Sequence, residues 1–70
     1  MVQGTVKWYN EGQGRGAVIS DSDGGEVSVA CSDIAADGFK ILFEGQRVMF
    51  DVVRTAKGPA ARNLVLSDGE

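Results

Sequence analysis

Residues 4–10, GTVKWYN, and residues 14–19, GRGAVI, are the stretches of this 70-residue chain that decide its fold. The first stretch carries β-branched and aromatic residues, and it runs into the turn signal at residues 10–12, NEG. The second stretch is short and apolar and continues to Ser20. The two stretches therefore predict two β-strands separated by a tight turn.

The first strand combines a cation with two adjacent aromatic rings. Lys7 stands beside Trp8 and Tyr9, a set of side chains suited to one phosphate and one nucleic-acid base. A neighbouring strand that completes a stacking platform supplies further rings, but here it offers Arg15 and Ala17. The sequence thus indicates a binding surface from which aromatic groups are missing.

Length and composition restrict the class of protein. Seventy residues form one small domain, and a chain of this size buries only about 60% of its unfolded surface. The single cysteine, Cys31, excludes an internal disulfide and is expected to be a small apolar filler. There is no histidine, no apolar run of membrane-spanning length and no signal pattern, so we expect a cytoplasmic protein without metal, cofactor or membrane contact.

Alternating apolar residues and glycine-rich turns predict an all-β fold, either a barrel or a sandwich. Residues 32–36 are expected to form one helical turn with Ser32 or Asp33 as its N-cap. The five predicted strands are Val2–Asn10, Gly16–Ser20, Glu26–Cys31, Gln46–Arg54 and Ala61–Leu66.

The charge balance is acidic, with ten Asp and Glu against seven Lys and Arg and a net charge of −3. Nucleic-acid binders are usually basic, but binding depends on where the cations cluster. We expect Lys7, Arg15, Lys57 and Arg62 to share one face. The acidic balance lowers the expected strength of non-specific binding without excluding it.

Four blocks of sequence resemble the bacterial cold-shock protein family: residues 4–10, residues 37–40 (DGFK), residues 44–46 (EGQ) and residues 57–63 (KGPAARN). The resemblance covers nearly the whole chain. It implies one cold-shock domain over residues 1–70, a five-stranded antiparallel OB-like β-barrel that binds single-stranded RNA or DNA. In that family the activity chaperones RNA and modulates transcription and translation.

The chain departs from the family pattern at its two ribonucleoprotein motifs, residues 13–18 and 27–31. The inward valines and both glycines are present, but four positions that are aromatic in the family are Arg15, Ala17, Ser28 and Cys31. Each stacked base contributes about 1–3 kcal/mol, so the loss of four rings predicts roughly thousandfold weaker binding.

The resemblance assigns nucleic-acid contacts to particular residues. Strict alternation from Val6 would turn Trp8 into the core, whereas the resemblance requires a bulge that exposes it, and we expect exposure. Tyr9 is compatible with either orientation. The predicted nucleic-acid-binding residues are Lys7, Trp8, Tyr9, Arg15, Phe39, Lys57 and Arg62.

A different function is also compatible with the sequence. Ile41, Phe43 and Met49 are larger and more apolar than is usual for the family, and exposed together they would form a patch for a protein partner or a homodimer. The alternative is that they pack a loop against the barrel. No catalytic residue is predicted, because there is no imidazole base and the carboxylates lie in turns without visible pairing.

Overall fold

The computed structural model describes residues 1–35 and 41–67. The strands in these residues close into one barrel with the spatial order β1-β2-β3-β5-β4. The predicted five-stranded all-β barrel is therefore confirmed. The strands are β1 Val2–Asn10, β2 Arg15–Ser20, β3 Glu26–Ala30, β4 Arg47–Thr55 and β5 Gly58–Leu66.

One strand pairing differs from the antiparallel pattern expected for the whole barrel. β3 and β5 run parallel and are paired at Ser28 and Ala60, whereas the other neighbours are antiparallel. The reason is topological: a closed ring with an odd number of strands cannot reverse direction at every contact. The parallel contact is where this barrel closes.

The segment after β3 is shorter and less helical than predicted. A 3₁₀ turn occupies Cys31–Asp33, and its N-cap Ala30 makes no side-chain capping bond, so neither Ser32 nor Asp33 acts as the cap. Ile34 instead forms a parallel bridge with Leu64, and the Ala35 amide donates to the Leu64 carbonyl at 2.8 Å. This pairing with β5 draws the chain into an extended conformation, which ends the turn; Ala36 lies outside the described residues.

The core is a layer of aliphatic side chains around one aromatic ring, Phe50. Alternation along each strand supplies it, since successive side chains point to opposite faces. β5 keeps both Ala61 and Leu64 inward because Asn63 between them has a left-handed backbone, with φ of 53°, at a register shift against β4. The buried core residues are Val6, Val18, Val27, Val29, Ile34, Leu42, Val48, Phe50, Ala61 and Leu64.

An ion pair joins three segments on the outside of the barrel. Arg47, at the start of β4, donates through both terminal nitrogens to the Asp21 carboxylate, at 3.2 and 2.5 Å, and to the Thr5 hydroxyl at 2.7 Å. Asp21 lies in the β2–β3 turn, and its amide donates to the Gln3 carbonyl at 2.8 Å. The hydrogen bond from Arg47, followed by its positive charge, holds the pKa of Asp21 below its ordinary value of 3.8.

We expect the Asp21→Asn variant to be less stable than the parent chain at neutral pH but not in strong acid. Because the folded pKa is depressed, the stabilisation is present above pH 3.8 and is lost as the pH falls through the folded value. Urea unfolding at pH 7 and below pH 3 measures the difference. Asp23→Asn, in the same turn, is the charge-matched control, and an equal Asp21→Asn deficit at both pH values would contradict the assignment.

β1 and β2 approach each other closely at Gly16. A Cβ atom at this position would lie 2.5 Å from the Trp8 carbonyl oxygen and 2.7 Å from Cδ1 of Tyr9. Both distances are shorter than real Cβ contacts. Glycine at this position therefore allows the Tyr9 ring to lie against the β2 backbone.

We expect Gly16→Ala to destabilise the barrel by about 1–3 kcal/mol, the usual cost of overpacking, because the Tyr9 ring and the β1 backbone must move. Gly12→Ala is the matched control, since Gly12 lies in an exposed turn where the nearest atom is a flexible Asn10 oxygen at 3.2 Å. Thermal or urea unfolding of both variants measures the effect. Equal stability of the two variants would show that the close approach at Gly16 has no energetic weight.

Candidate nucleic-acid interface

The outward-pointing residues of β1, β2 and β3 form what we term the outer face. Directly paired residues of antiparallel strands project to the same side of a sheet. One row therefore runs Trp8, Ala17, Ser28, and the row beside it runs Asn10, Arg15, Ala30. These rows contain three of the four positions where the sequence predicted lost aromatic groups, Arg15, Ala17 and Ser28; the fourth, Cys31, lies just after β3.

A bulge in β1 sets the orientation of Trp8. The β1–β2 register shifts between Val6 and Trp8, which leaves Lys7 as the extra residue. Val6 is only 1% exposed, in the core, whereas Trp8 is 43% exposed. The predicted exposure of Trp8 is confirmed, and strict alternation fails because of the bulge.

Ala17 lies on the outer face but is only 3% exposed. It is absent from the core cluster, so side chains on the outer face cover it. Its direct partner on β1 is Trp8, whose indole is the largest side chain on this face of the two strands. The pairing with Ala17 places Trp8 beside this buried residue, while 43% of the Trp8 surface remains exposed.

The Tyr9 side chain points inward, which is one of the two orientations that the sequence allowed. It is paired with Gly16, is partly buried and packs against the core. Burial, and then the nearby Cys31 and Glu11, raise the pKa of its hydroxyl above 10.0.

Cys31 is exposed, so the expectation that it fills apolar space is wrong. It starts the 3₁₀ turn, and its amide donates to the Gly14 carbonyl at 2.8 Å.

Two of the predicted phosphate-binding cations are held by carboxylates of the chain itself. Lys7 Nζ lies 3.0 Å from Glu26 Oε1, and Arg62 Nε lies 3.3 Å from Asp33 Oδ1. Lys7 is on β1 and Glu26 is on β3, so their ion pair passes across the outer side of β2. Sequence reasoning did not find these pairs, because the partners are 19 and 29 residues apart and adjacent only in the barrel.

The remaining predicted contacts are Arg15, Lys57 and Phe39. Arg15 and Lys57 are exposed and form no ion pair within residues 1–35 and 41–67. Lys57 lies at the tip of the β4–β5 hairpin, where its amide donates to the Thr55 hydroxyl at 3.2 Å. Arg15 lies on the outer face, in the row that also contains Asn10 and Ala30. Phe39 lies outside the described residues.

An open groove of about 290 Å³ adjoins the outer face. Trp8, Tyr9 and Glu11 line one side, and residues 41–44 line the other. We name it the Trp8–Phe43 groove. Ile41 and Phe43 are therefore neighbours of the predicted stacking residue, a placement that the sequence of a long loop did not indicate.

The predicted patch residues Ile41, Phe43 and Met49 have different positions in the structure. Met49 is half-buried in β4, where it is paired with Gln3 on one side and Val65 on the other. It is not among the residues that line the Trp8–Phe43 groove. Of the three predicted patch residues, Ile41 and Phe43 line that groove.

Two other classes of site are absent from the described residues. Across the described residues, no helix is long and apolar enough to cross a membrane. Within the same residues, no three or more side chains of the metal-binding types are grouped so that they could hold a metal ion.

Comparison with known proteins gives consistent matches along the chain. The family profile described as the 'Cold-shock' DNA-binding domain matches residues 2–67. The chain is 44% identical over 64 residues to the cold shock-like protein CspE of Escherichia coli strain K12, which covers 91% of this chain and 93% of the relative. It is 48% identical over 62 residues to the cold shock protein CspV of Vibrio cholerae, covering 89% of each.

A third relative, the cold shock protein of Arthrobacter globiformis, is 46% identical over 66 residues, covering 94% of this chain and 98% of the relative. Each match spans nearly the full length of both proteins. The barrel, the family profile and these relatives agree, and the chain belongs to the cold-shock domain family.

Proposed function

We propose that this protein binds single-stranded RNA or DNA weakly through its outer face, as a non-enzymatic cytoplasmic regulator or chaperone of nucleic acid. Trp8 stacks on a base, and Lys7, Arg15 and Lys57 meet phosphates, with Arg62 at the edge. The observation that carries the proposal is the β1 bulge, which turns Trp8 outward and leaves its indole 43% exposed. Family membership supports the same class of ligand.

Weak binding follows from what surrounds Trp8. Ala17 and Ser28 continue its row across β2 and β3, and neither offers a ring. Each base that is not stacked on a ring loses about 1–3 kcal/mol of binding free energy. A strand on this face therefore gains stacking energy at Trp8 and little from the rest of the row.

Arg15 is placed to replace part of the lost stacking. It is two residues before Ala17 on β2 and therefore diagonal to Trp8, within reach of a long side chain. A guanidinium plane stacks on a base and also pairs with phosphate. Arg15 can therefore stack on a base or pair with a phosphate of a strand that lies beside Trp8.

A second function, docking of a protein partner or a second copy, rests on Phe43, which is 66% exposed. The separation of Met49 from Ile41 and Phe43 reduces the contiguous apolar area, so we place this function second. Sedimentation at high protein concentration tests self-association directly. A strictly monomeric protein would leave no support for the homodimer.

We expect oligo-dT to quench Trp8 fluorescence, with an affinity that falls as salt rises. On single strands the slope of log affinity against log salt is about −0.7 per phosphate contact, so Arg15→Ala and Lys57→Ala should each reduce its magnitude by about 0.7. Arg54→Ala is the control, because Arg54 is an exposed cation of β4, paired with Pro59, that is not among the predicted contacts. A flat titration at low salt would overturn the proposed function.

We expect Glu26→Gln to tighten oligo-dT binding about 1.5- to 5-fold at low salt, since it releases Lys7 from an exposed ion pair of modest strength. Asp23→Asn removes the same charge from the adjacent turn and corrects for net charge. Competition titrations with both variants measure the difference. If the two variants tighten binding equally, the Lys7–Glu26 pair does not restrain Lys7.

A further inference from the structure

We propose that the Trp8–Phe43 groove is a base-selecting pocket, which holds one unstacked base that carries an exocyclic amino group: cytosine, adenine or guanine. This inference rests on the proposed function, because a strand must first lie on the outer face. The groove then determines which base beside Trp8 is preferred. It adds a specificity site to a surface that has lost most of its stacking groups.

The groove exists because β4 leaves the side of β1 halfway along it. β1 is paired with β4 only from Val2 to Thr5. Val6 is then bonded to the two residues before β4. Its amide donates to the Gln46 carbonyl at 2.9 Å, and its carbonyl accepts from the Gly45 amide at 2.8 Å. Trp8 and the residues after it therefore lie beyond the β1–β4 pairing and face residues 41–44, and the space between them measures about 290 Å³.

The two walls suit a flat aromatic ligand. Trp8 forms one wall at the end of the outer face, and Phe43 projects from the other wall with 66% of its surface exposed. The Phe43 backbone is held on both sides by Gln46: its amide donates to Oε1 at 3.1 Å, and its carbonyl accepts from the Gln46 amide at 3.1 Å. The exposed ring is therefore carried by a fixed turn, which limits the ordering cost of binding.

The charges of the groove select a base edge and exclude a phosphate. Glu11 and Glu44 line it, and neither forms an ion pair in the described part of the chain. Two carboxylates repel a phosphate, but they accept hydrogen bonds from an amino group, as carboxylates do from N4 of cytosine. Thymine and uracil present a carbonyl oxygen at the equivalent position, which a carboxylate repels.

The same carboxylates would also attract a basic peptide, but the position of the groove favours a base. Trp8 belongs to both the groove and the outer face, so a strand stacked on it brings its next base to the groove entrance. Arg15, free of ion pairs in the described residues, stands on the same face and repels a basic peptide while attracting the phosphates of a strand. The geometry thus connects a phosphate-binding surface to an amino-accepting pocket.

The test compares oligo-dT with strands of the same length that carry one dC at successive positions, by fluorescence polarisation of labelled strands. We expect one position at which dC binds about fivefold tighter than dT, the lower end for a good base contact. In the double variant Glu11→Gln, Glu44→Gln this ratio should approach one, and oligo-dT should bind tighter, since an amide also donates to a thymine oxygen. Asp23→Asn changes the charge elsewhere and should leave the ratio unchanged.

Phe43→Ala supplies a second measurement. It should weaken the dC-containing strand more than oligo-dT. Leu66→Ala, which truncates another exposed apolar side chain outside the groove, is its control. Thermal unfolding of both variants verifies that the barrel is intact. A selective loss in Phe43→Ala alone supports the pocket.

Three results would overturn the inference, and they are distinguishable. Equal affinity for dC and dT strands at every position overturns the pocket and leaves the proposed function standing. Absence of binding to any strand at low salt overturns the proposed function itself and the pocket with it. Binding of a short oligo-arginine peptide that is lost in the Glu11, Glu44 double variant, without any base preference, makes the groove a peptide-docking site.

Discussion

Val6 and Trp8 are two positions apart in β1, yet one fills the barrel core and the other lies on its outer face. The extra residue in the β1–β2 register at Lys7 makes this possible, and the rest of the binding surface depends on it. It keeps Val6 in the core and turns Trp8 outward, and it returns Tyr9 to the inner side. Gly16 accommodates the result, because no larger residue fits between the Tyr9 ring and the β1 backbone.

On the face that this bulge creates, the chain retains the scaffold of the cold-shock domain with few of the groups that stack on bases. The inward valines of β2 and β3 are buried as a barrel requires, while the outward positions are occupied by Ala17, Ser28 and Arg15. Carboxylates hold two of the cations that remain, Lys7 and Arg62. Exposed ion pairs of this kind are individually weak, so phosphate competes with them at a modest cost.

The surface beside Trp8 carries the groove that we propose as a base-selecting pocket. The early departure of β4 from β1 opens a groove whose walls carry Phe43 and Ile41, and whose rim carries Glu11 and Glu44. Apolar residues that looked in the sequence like a partner surface are thereby placed next to the stacking residue. In the proposed pocket, a few aromatic contacts and hydrogen-bond acceptors would select a base without adding much binding strength.

The sequence predicts the class of fold, the number of strands and most of their bounds, because alternation and glycine-rich turns are local signals that the barrel does not override. It also located Trp8 correctly, through the resemblance of residues 4–10 and against strict alternation. The tertiary structure alone decided the Lys7–Glu26 and Arg62–Asp33 ion pairs, the parallel β3–β5 contact, and the meeting of Phe43 with Trp8. Each of these joins residues far apart in the chain, and their proximity depends on how the strands close into a ring, which local periodicity does not encode.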